Sequence, residues 1–374
     1  MIIAALDKPL SKSRFAALDG LRAFAVLGVL WIHIWTVHGN PRYVVGKLDL
    51  ASVLALGGNG VDLFFVISGF CMYYFYAGNR QFCYADFGAF LKKRWIRLSP
   101  AFYTACLVYI IAKLTHDGSY PFLKSALTCL TYQNALFSAY NPEGILWSLT
   151  PEWQFYIIVP FLLIYQNRYG FIKSFTVITI CLFAIAIAGV MFLKSGSDIL
   201  SSQIFFRYFE FMWGILAGRL LLLQPNLKLP YKALWLIGFI LITYAGRVLI
   251  SKPVLMLSTN YYNLFKLLGF TVMGFGFSGI IYLALTSKQR LKNFLGNKVF
   301  SFIGKISFSL YLWHGLVHRP VCNWVIILFP NTSGISLPVI SFFISLIILI
   351  PLSAASYYLL EHNFMARNKT SNHK

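Results

Sequence analysis

The chain has 374 residues, of which 58% are hydrophobic, 18% aromatic and only 11% charged, and its net charge is +21. Soluble domains carry about 25% charged residues, so a mean hydropathy of +0.69 and recurring apolar runs of bilayer length predict an all-α, polytopic integral membrane protein. The basic residues sit between spans rather than along one soluble face, which fits topology signals and contact with anionic membrane lipids and excludes nucleic acid as a partner.

The N-terminal stretch MIIAALDKPLSKSRFAALDGLR shows no apolar core leading to a cleavage site, so it is expected to be a cytoplasmic lead rather than a signal peptide. About ten transmembrane helices are predicted, near 23–39, 54–77, 98–114, 142–165, 174–193, 204–223, 233–250, 262–285, 306–329 and 336–360. About two-thirds of the 32 Lys and Arg residues fall on one side of this layout, so both termini are expected to be cytoplasmic. The chain is read as one membrane domain over 1–374, with 1–22 and 361–374 as polar ends. Its six cysteines show no CxxC pair, so they predict neither a zinc site nor a disulfide framework.

In the first span, RAFAVLGVLWIH runs from Arg22 to His33. Eleven residues place His33 roughly 16 Å deeper than Arg22 and close to three turns on, so the two share one helix face. Asp19 joins that face and is placed to pair with Arg22. The pattern suits the wall of a cavity with a titratable base at mid-membrane. A structural reading stands beside it, with His33 bonded to a neighbouring helix and Arg22 an interfacial anchor.

GGNGVDLFFVISGF (57–70) follows, with Asp62 inside an apolar run. Gly-rich backbone at membrane depth has to be buried or line a cavity. Asp62 is read either as a partner for an imidazole or a cation, or as a carboxylate complementing a helix N-terminus. In KKRWIRLSP (92–100), Arg94 and Arg97 stand i, i+3 at the mouth of span three. Two forked guanidiniums suit a phosphate-bearing ligand, or equally lipid phosphate. The stretch 122–140 is amphipathic and too polar to span.

LWSLTPEWQFYIIVP (146–160) reads as a helix start, with Thr150 as cap, Pro151 at the first position and Glu152 in the first turn. Ser148 and Glu152 are four apart, and Trp147, Trp153 and Tyr156 read as an aromatic belt. Arg207 and Glu210 are expected to form an ion pair within a span. Ser307, Tyr311 and His314 fall on nearly one face, and Glu361 with His362 closes the tenth span.

The ordered set LDGLRAFAVLGVLWIH, GGNGVDLFFVISGF, RWIRLSP, WSLTPEWQFY and SLYLWHG resembles the acyltransferase family 3 membrane O-acyltransferases, over essentially the whole chain. Arg22 and His33 meet that family's arginine, ten residues, histidine pattern, and Arg94 and Arg97 its RxxR pattern. The resemblance implies transfer of an acyl group, usually acetyl, from cytoplasmic acetyl-CoA to a sugar hydroxyl. The expected acceptor is a surface polysaccharide or lipid-linked glycan such as O-antigen, and the expected location the inner membrane. It further implies Arg94, Arg97 and Arg22 on the acyl-CoA phosphates and His33 as general base. Glu152 and Asp62 would orient the base or meet the acceptor, and Ser148, Trp147, Tyr311 and His314 would contact substrate. No metal is expected. Some members carry an SGNH-type domain; the length here leaves no room for one, so transfer is expected to finish within the membrane domain. A solute transporter is the alternative, although no inverted repeat is evident.

Overall fold

The computed structural model describes residues 12–42, 44–45, 48–49, 51, 55–77, 82–192, 197–225, 229–251 and 259–366. In chain order the helices are α1 (Lys12–Val37), α2 (Gly60–Ala77), α3 (Tyr84–His116), α4 (Phe122–Leu130), α5 (Leu149–Tyr169), α6 (Phe171–Phe192) and α7 (Ser197–Ser201). They continue as α8 (Ile204–Leu223), α9 (Lys232–Ile250), α10 (Thr259–Thr286), α11 (Gln289–Leu295), α12 (Lys298–Lys305), α13 (Ser307–Leu328) and α14 (Ser336–Ser356). A π turn, Tyr357–His362, extends α14. The only strands among the described residues are β1 (Val44–Val45) and β2 (Leu48–Asp49), a two-residue antiparallel ladder that the sequence did not predict.

The described parts of the ten expected spans fall largely on helices, and the protein is an all-α polytopic membrane protein. Seven of them (on α1, α2, α3, α6, α9, α10 and α14) are long and apolar enough to cross a membrane. The helices α5, α8 and α13 have 21, 20 and 22 residues, and at 1.5 Å per residue each reaches about 30 Å. They are less apolar because they carry Glu152, Arg207, Glu210, His314 and His318. The basic positions Lys8, Arg80, Lys228, Arg367, Lys369 and Lys374, which entered the orientation argument, lie outside the described residues, as do most of the polar ends.

Two boundaries differ from expectation in ways that bear on the site. Helix α3 starts at Tyr84 rather than near 98, because Cys83 and Asp86 cap it: the Cys83 amide donates to Asp86 Oδ2 at 3.0 Å. Arg94 and Arg97 therefore lie within a continuous helix, not at its mouth. The start expected at 142 is instead a 3-10 turn, Gly144–Ser148, and α5 begins at Leu149. Thr150 does not cap it; its hydroxyl accepts from the Ala135 amide at 3.1 Å and ties down the preceding loop.

The main pairings are α2 along α8, α9 along α10, α13 along α14, and α1 against α12 and α13. Glycine lets two of these backbones touch. A Cβ on Gly57 would stand 2.5 Å from the Gly28 carbonyl oxygen, so the Gly-rich turn is pressed against α1. In the α2–α8 pair, a Cβ on Gly214 would collide with the Val66 carbonyl and lie 2.7 Å from the Phe70 nitrogen.

Replacing Gly214 by valine is expected to cost about 1–3 kcal/mol through overpacking, read as a lower melting temperature of the detergent-solubilised protein. Gly88→Ala, on α3 where a Cβ meets nothing within 4 Å, is expected to leave the melting temperature unchanged or raise it slightly.

Candidate active site

A cavity of about 270 Å3 lies among α1, α2, α3, α5, α13 and the π turn. One end is ionic. Arg22 lines it with Asp19, Lys305 and Glu361, and Arg97 enters from α3. Arg22 Nη1 pairs with Asp19 Oδ1 at 2.8 Å, three residues back on the same helix, and Nη2 reaches Cys71 Sγ at 3.5 Å. Glu361 is buried and accepts a hydrogen bond from Ser309 Oγ at 2.5 Å.

The other end is lined by hydroxyls. Ser148 Oγ and the Tyr311 hydroxyl are 2.8 Å apart, and the Tyr311 hydroxyl donates to the Ile145 carbonyl at 2.6 Å. Glu152 lies between the two ends, accepting from Tyr156 at 2.5 Å and from Ser68 at 3.5 Å. Glu152 thus faces the cavity rather than a lipid-facing helix end. Tyr156 is buried and Trp153 stacks on Tyr132 at 4.8 Å, so these two residues read as an aromatic belt are interior packing.

Beyond Tyr311 lies a group of three imidazoles. The Tyr311 ring is 5.4 Å from that of His314, which is 4.9 Å from His33 and 5.7 Å from His318. His33 Nδ1 meets the Val29 carbonyl at 2.8 Å, His318 Nδ1 the His314 carbonyl at 2.8 Å, and His314 Nδ1 the Tyr311 carbonyl at 2.5 Å. A carbonyl only accepts, so each Nδ1 carries the proton and each neutral ring keeps its Nε2 lone pair. His314 is fully buried, and its Nε2 has no protein partner among the described residues. His33 is only half-buried. The arrangement offers a lone pair to a proton donor beside a hydroxyl-lined, cation-ended cavity.

Three expected site residues stand elsewhere. Asp62 neither lines the cavity nor meets an imidazole. Its Oδ1 holds Arg207 Nη1 at 2.9 Å and its Oδ2 accepts from Asn59 at 3.0 Å. The expected Arg207–Glu210 pair forms at 3.2 Å, so Arg207 serves two carboxylates from the start and interior of different helices. Trp147 is drawn to that cation as well, with the guanidinium 5.0 Å from its ring centre. Arg94 diverges from Arg97: its guanidinium lies over Tyr76 and Phe90 at 5.5 and 5.6 Å, and Nη2 donates to the Tyr76 hydroxyl at 2.8 Å. His318 and Ser68 were not singled out from sequence. The first had a signal, since WHGLVH sets it one turn after His314; a lone serine in VISGF had none.

The family model described as an acyltransferase domain matches residues 15–358. Among curated proteins, O-acetyltransferase OatA of Staphylococcus aureus (strain NCTC 8325 / PS 47) is 26% identical over 383 residues, covering 95% of this chain and 58% of that protein. A second protein of the species (strain COL), SACOL0978, provisionally named an O-acetyltransferase, is 27% identical over 93% of this chain and 56% of its own length. The chain therefore spans less than two-thirds of the relatives it matches. No solved structure matches.

Arg207→Ala strands two buried carboxylates, and breaking a buried pair in this way costs about 3–5 kcal/mol. The expected result is loss of monodisperse protein on size exclusion, partly restored when Asp62→Ala is added, because one uncompensated charge is then gone.

Proposed function

This chain belongs to the acyltransferase family matched over residues 15–358, and from that membership we propose that it is an integral-membrane O-acetyltransferase. The donor is acetyl-CoA from the cytoplasm, and the acceptor is a hydroxyl of a surface polysaccharide or lipid-linked glycan reached from the other side of the inner membrane. The observation that carries the reading is the order of groups along the cavity. Cations stand at one end, the Ser148–Tyr311 hydroxyl pair at the other, and His33 with His314 directly behind that pair.

On this reading Arg97, Arg22 and Lys305 attract the phosphates of the donor, and the thin pantetheine arm runs past Glu152 to bring the thioester beside Ser148 and Tyr311. His33 Nε2 removes the proton of the acceptor hydroxyl as its oxygen attacks the thioester carbonyl. A hydroxyl from Ser148 or Tyr311, or the Arg22 guanidinium, stabilises the oxyanion. Collapse breaks the C–S bond, and the departing thiolate takes the proton from the imidazolium. His314, packed against His33, fixes the ring and is the acceptor-side neighbour. Glu152 holds Tyr156 in the donor path. A transporter reading gains nothing from the family match.

The test is transfer of radiolabelled acetyl from acetyl-CoA to glycan in membrane vesicles. His33→Ala, at matched membrane levels, is expected to lower the rate by at least about 10²-fold; full labelling by this variant would remove His33 as the base. Arg97→Ala is expected to raise KM for acetyl-CoA roughly tenfold or more, the loss of one charged hydrogen bond, with little change in kcat.

A further inference from the structure

A second, smaller cavity of about 190 Å3 adjoins the first, between the end of α2 and the opening turns of α3. Three of its walls are rings set nearly at right angles. Tyr76 and Phe90 are 4.8 Å apart at 72°, Tyr76 and Phe82 6.0 Å at 79°, and Phe82 and Phe90 5.9 Å at 88°. Lys93 and Asp86 complete the rim with the exposed Ala89. Such a box suits a flat aromatic guest, whose face and edge each find a complementary ring.

The two cavities are neighbours along both helices. On α2, Met72 borders the larger one and Phe75 and Tyr76 the smaller; on α3, Arg97 borders the larger and Lys93 the smaller. Each step is about one helical turn. Arg94 stands between them, its guanidinium over Tyr76 and Phe90 and its buried Nε without a protein partner among the described residues. Lys93, Arg94 and Arg97 thus form a cationic bridge from an aromatic box to the mouth of the reaction cavity.

We propose that the smaller cavity binds the adenine end of the acyl-CoA donor, with Lys93, Arg94 and Arg97 holding the phosphates that join it to the pantetheine arm. The assignment rests on the O-acetyltransferase reading above. It explains why Arg94 and Arg97, a turn apart, face different surroundings: one grips the nucleotide beside its base, the other guides the arm inward. Stacking makes the box selective for a base, and the guanidinium over the rings adds charge where phosphate follows.

The experiment compares acetyl-CoA with S-acetyl-4′-phosphopantetheine, which has the same thioester but no adenosine. Ala89→Trp fills the box from its exposed rim. It is expected to lower the preference in kcat/KM for acetyl-CoA over the truncated donor at least about fivefold, the weight of one lost base stack. Adenosine 3′,5′-bisphosphate is expected to compete with acetyl-CoA in the wild type and to weaken by a similar factor in the variant. Tyr76→Leu, read the same way, covers the case in which the tryptophan disrupts folding. Unchanged preference and unchanged competition in folded variants overturn the adenine assignment alone. Competition by glycerol phosphate as strong as by the bisphosphate also overturns it, since the site would then read only a phosphate such as a lipid headgroup supplies. Absence of transfer from both donors in the wild type overturns the transferase reading and this assignment with it.

Discussion

An ionised side chain inside an apolar bundle has to meet its counter-charge there, and Arg207 is where this protein satisfies that condition. The guanidinium is shared by Asp62 on α2 and Glu210 on its own helix, and Phe270 of α10 covers it with the ring centre 3.9 Å away. A buried pair of this kind is weak evidence for net stability, since desolvation offsets much of the attraction. What it supplies is a fixed relation between three helices. Phe65, which lies under the guanidinium at 5.4 Å, also lines the large cavity. The same contact that fixes α2 against α8 therefore places the cavity wall that carries Ser68 and Cys71.

The site obeys the same condition by a different route. Its histidines give Nδ1 protons to carbonyls of their own helices, which satisfies one ring nitrogen of each at depth and leaves Nε2 to act. Two of its cations, by contrast, meet a carboxylate or an aromatic face: Arg22 with Asp19, Arg94 on Tyr76. Charge is concentrated at one end of the cavity and lone pairs at the other.

The positions of helices were largely legible, because apolar runs of span length have few alternatives in a membrane. The face shared by Asp19, Arg22 and His33 was legible for the same reason: helical periodicity fixes it within one element. What lay beyond the sequence was pairing between elements. Asp62 had two plausible partners, an imidazole and a cation, and nothing in its own stretch reveals that Arg207 lies opposite. Trp147 looked like a substrate contact or a belt residue until the same arginine was placed beside it. Arg94 and Arg97 share a spacing, yet the former is captured by rings from α2, whose register against α3 no local pattern encodes. The depth of Glu152 was likewise hidden by the 3-10 turn that delays α5.

The reach of the Arg207 contact along the chain bears on how the protein is made. Asp62 is synthesised 145 residues before the arginine that neutralises it, and until then its charge is met only by Asn59 and by the N-terminus of its own helix. The helices that hold Glu152, Arg207 and the two α13 histidines are too polar to be strong insertion signals by themselves. Translation of α8 is thus the event that supplies the Asp62 carboxylate with its counter-charge. Truncation anywhere before residue 207 removes that counter-charge and, with it, the contact that fixes α2 against α8.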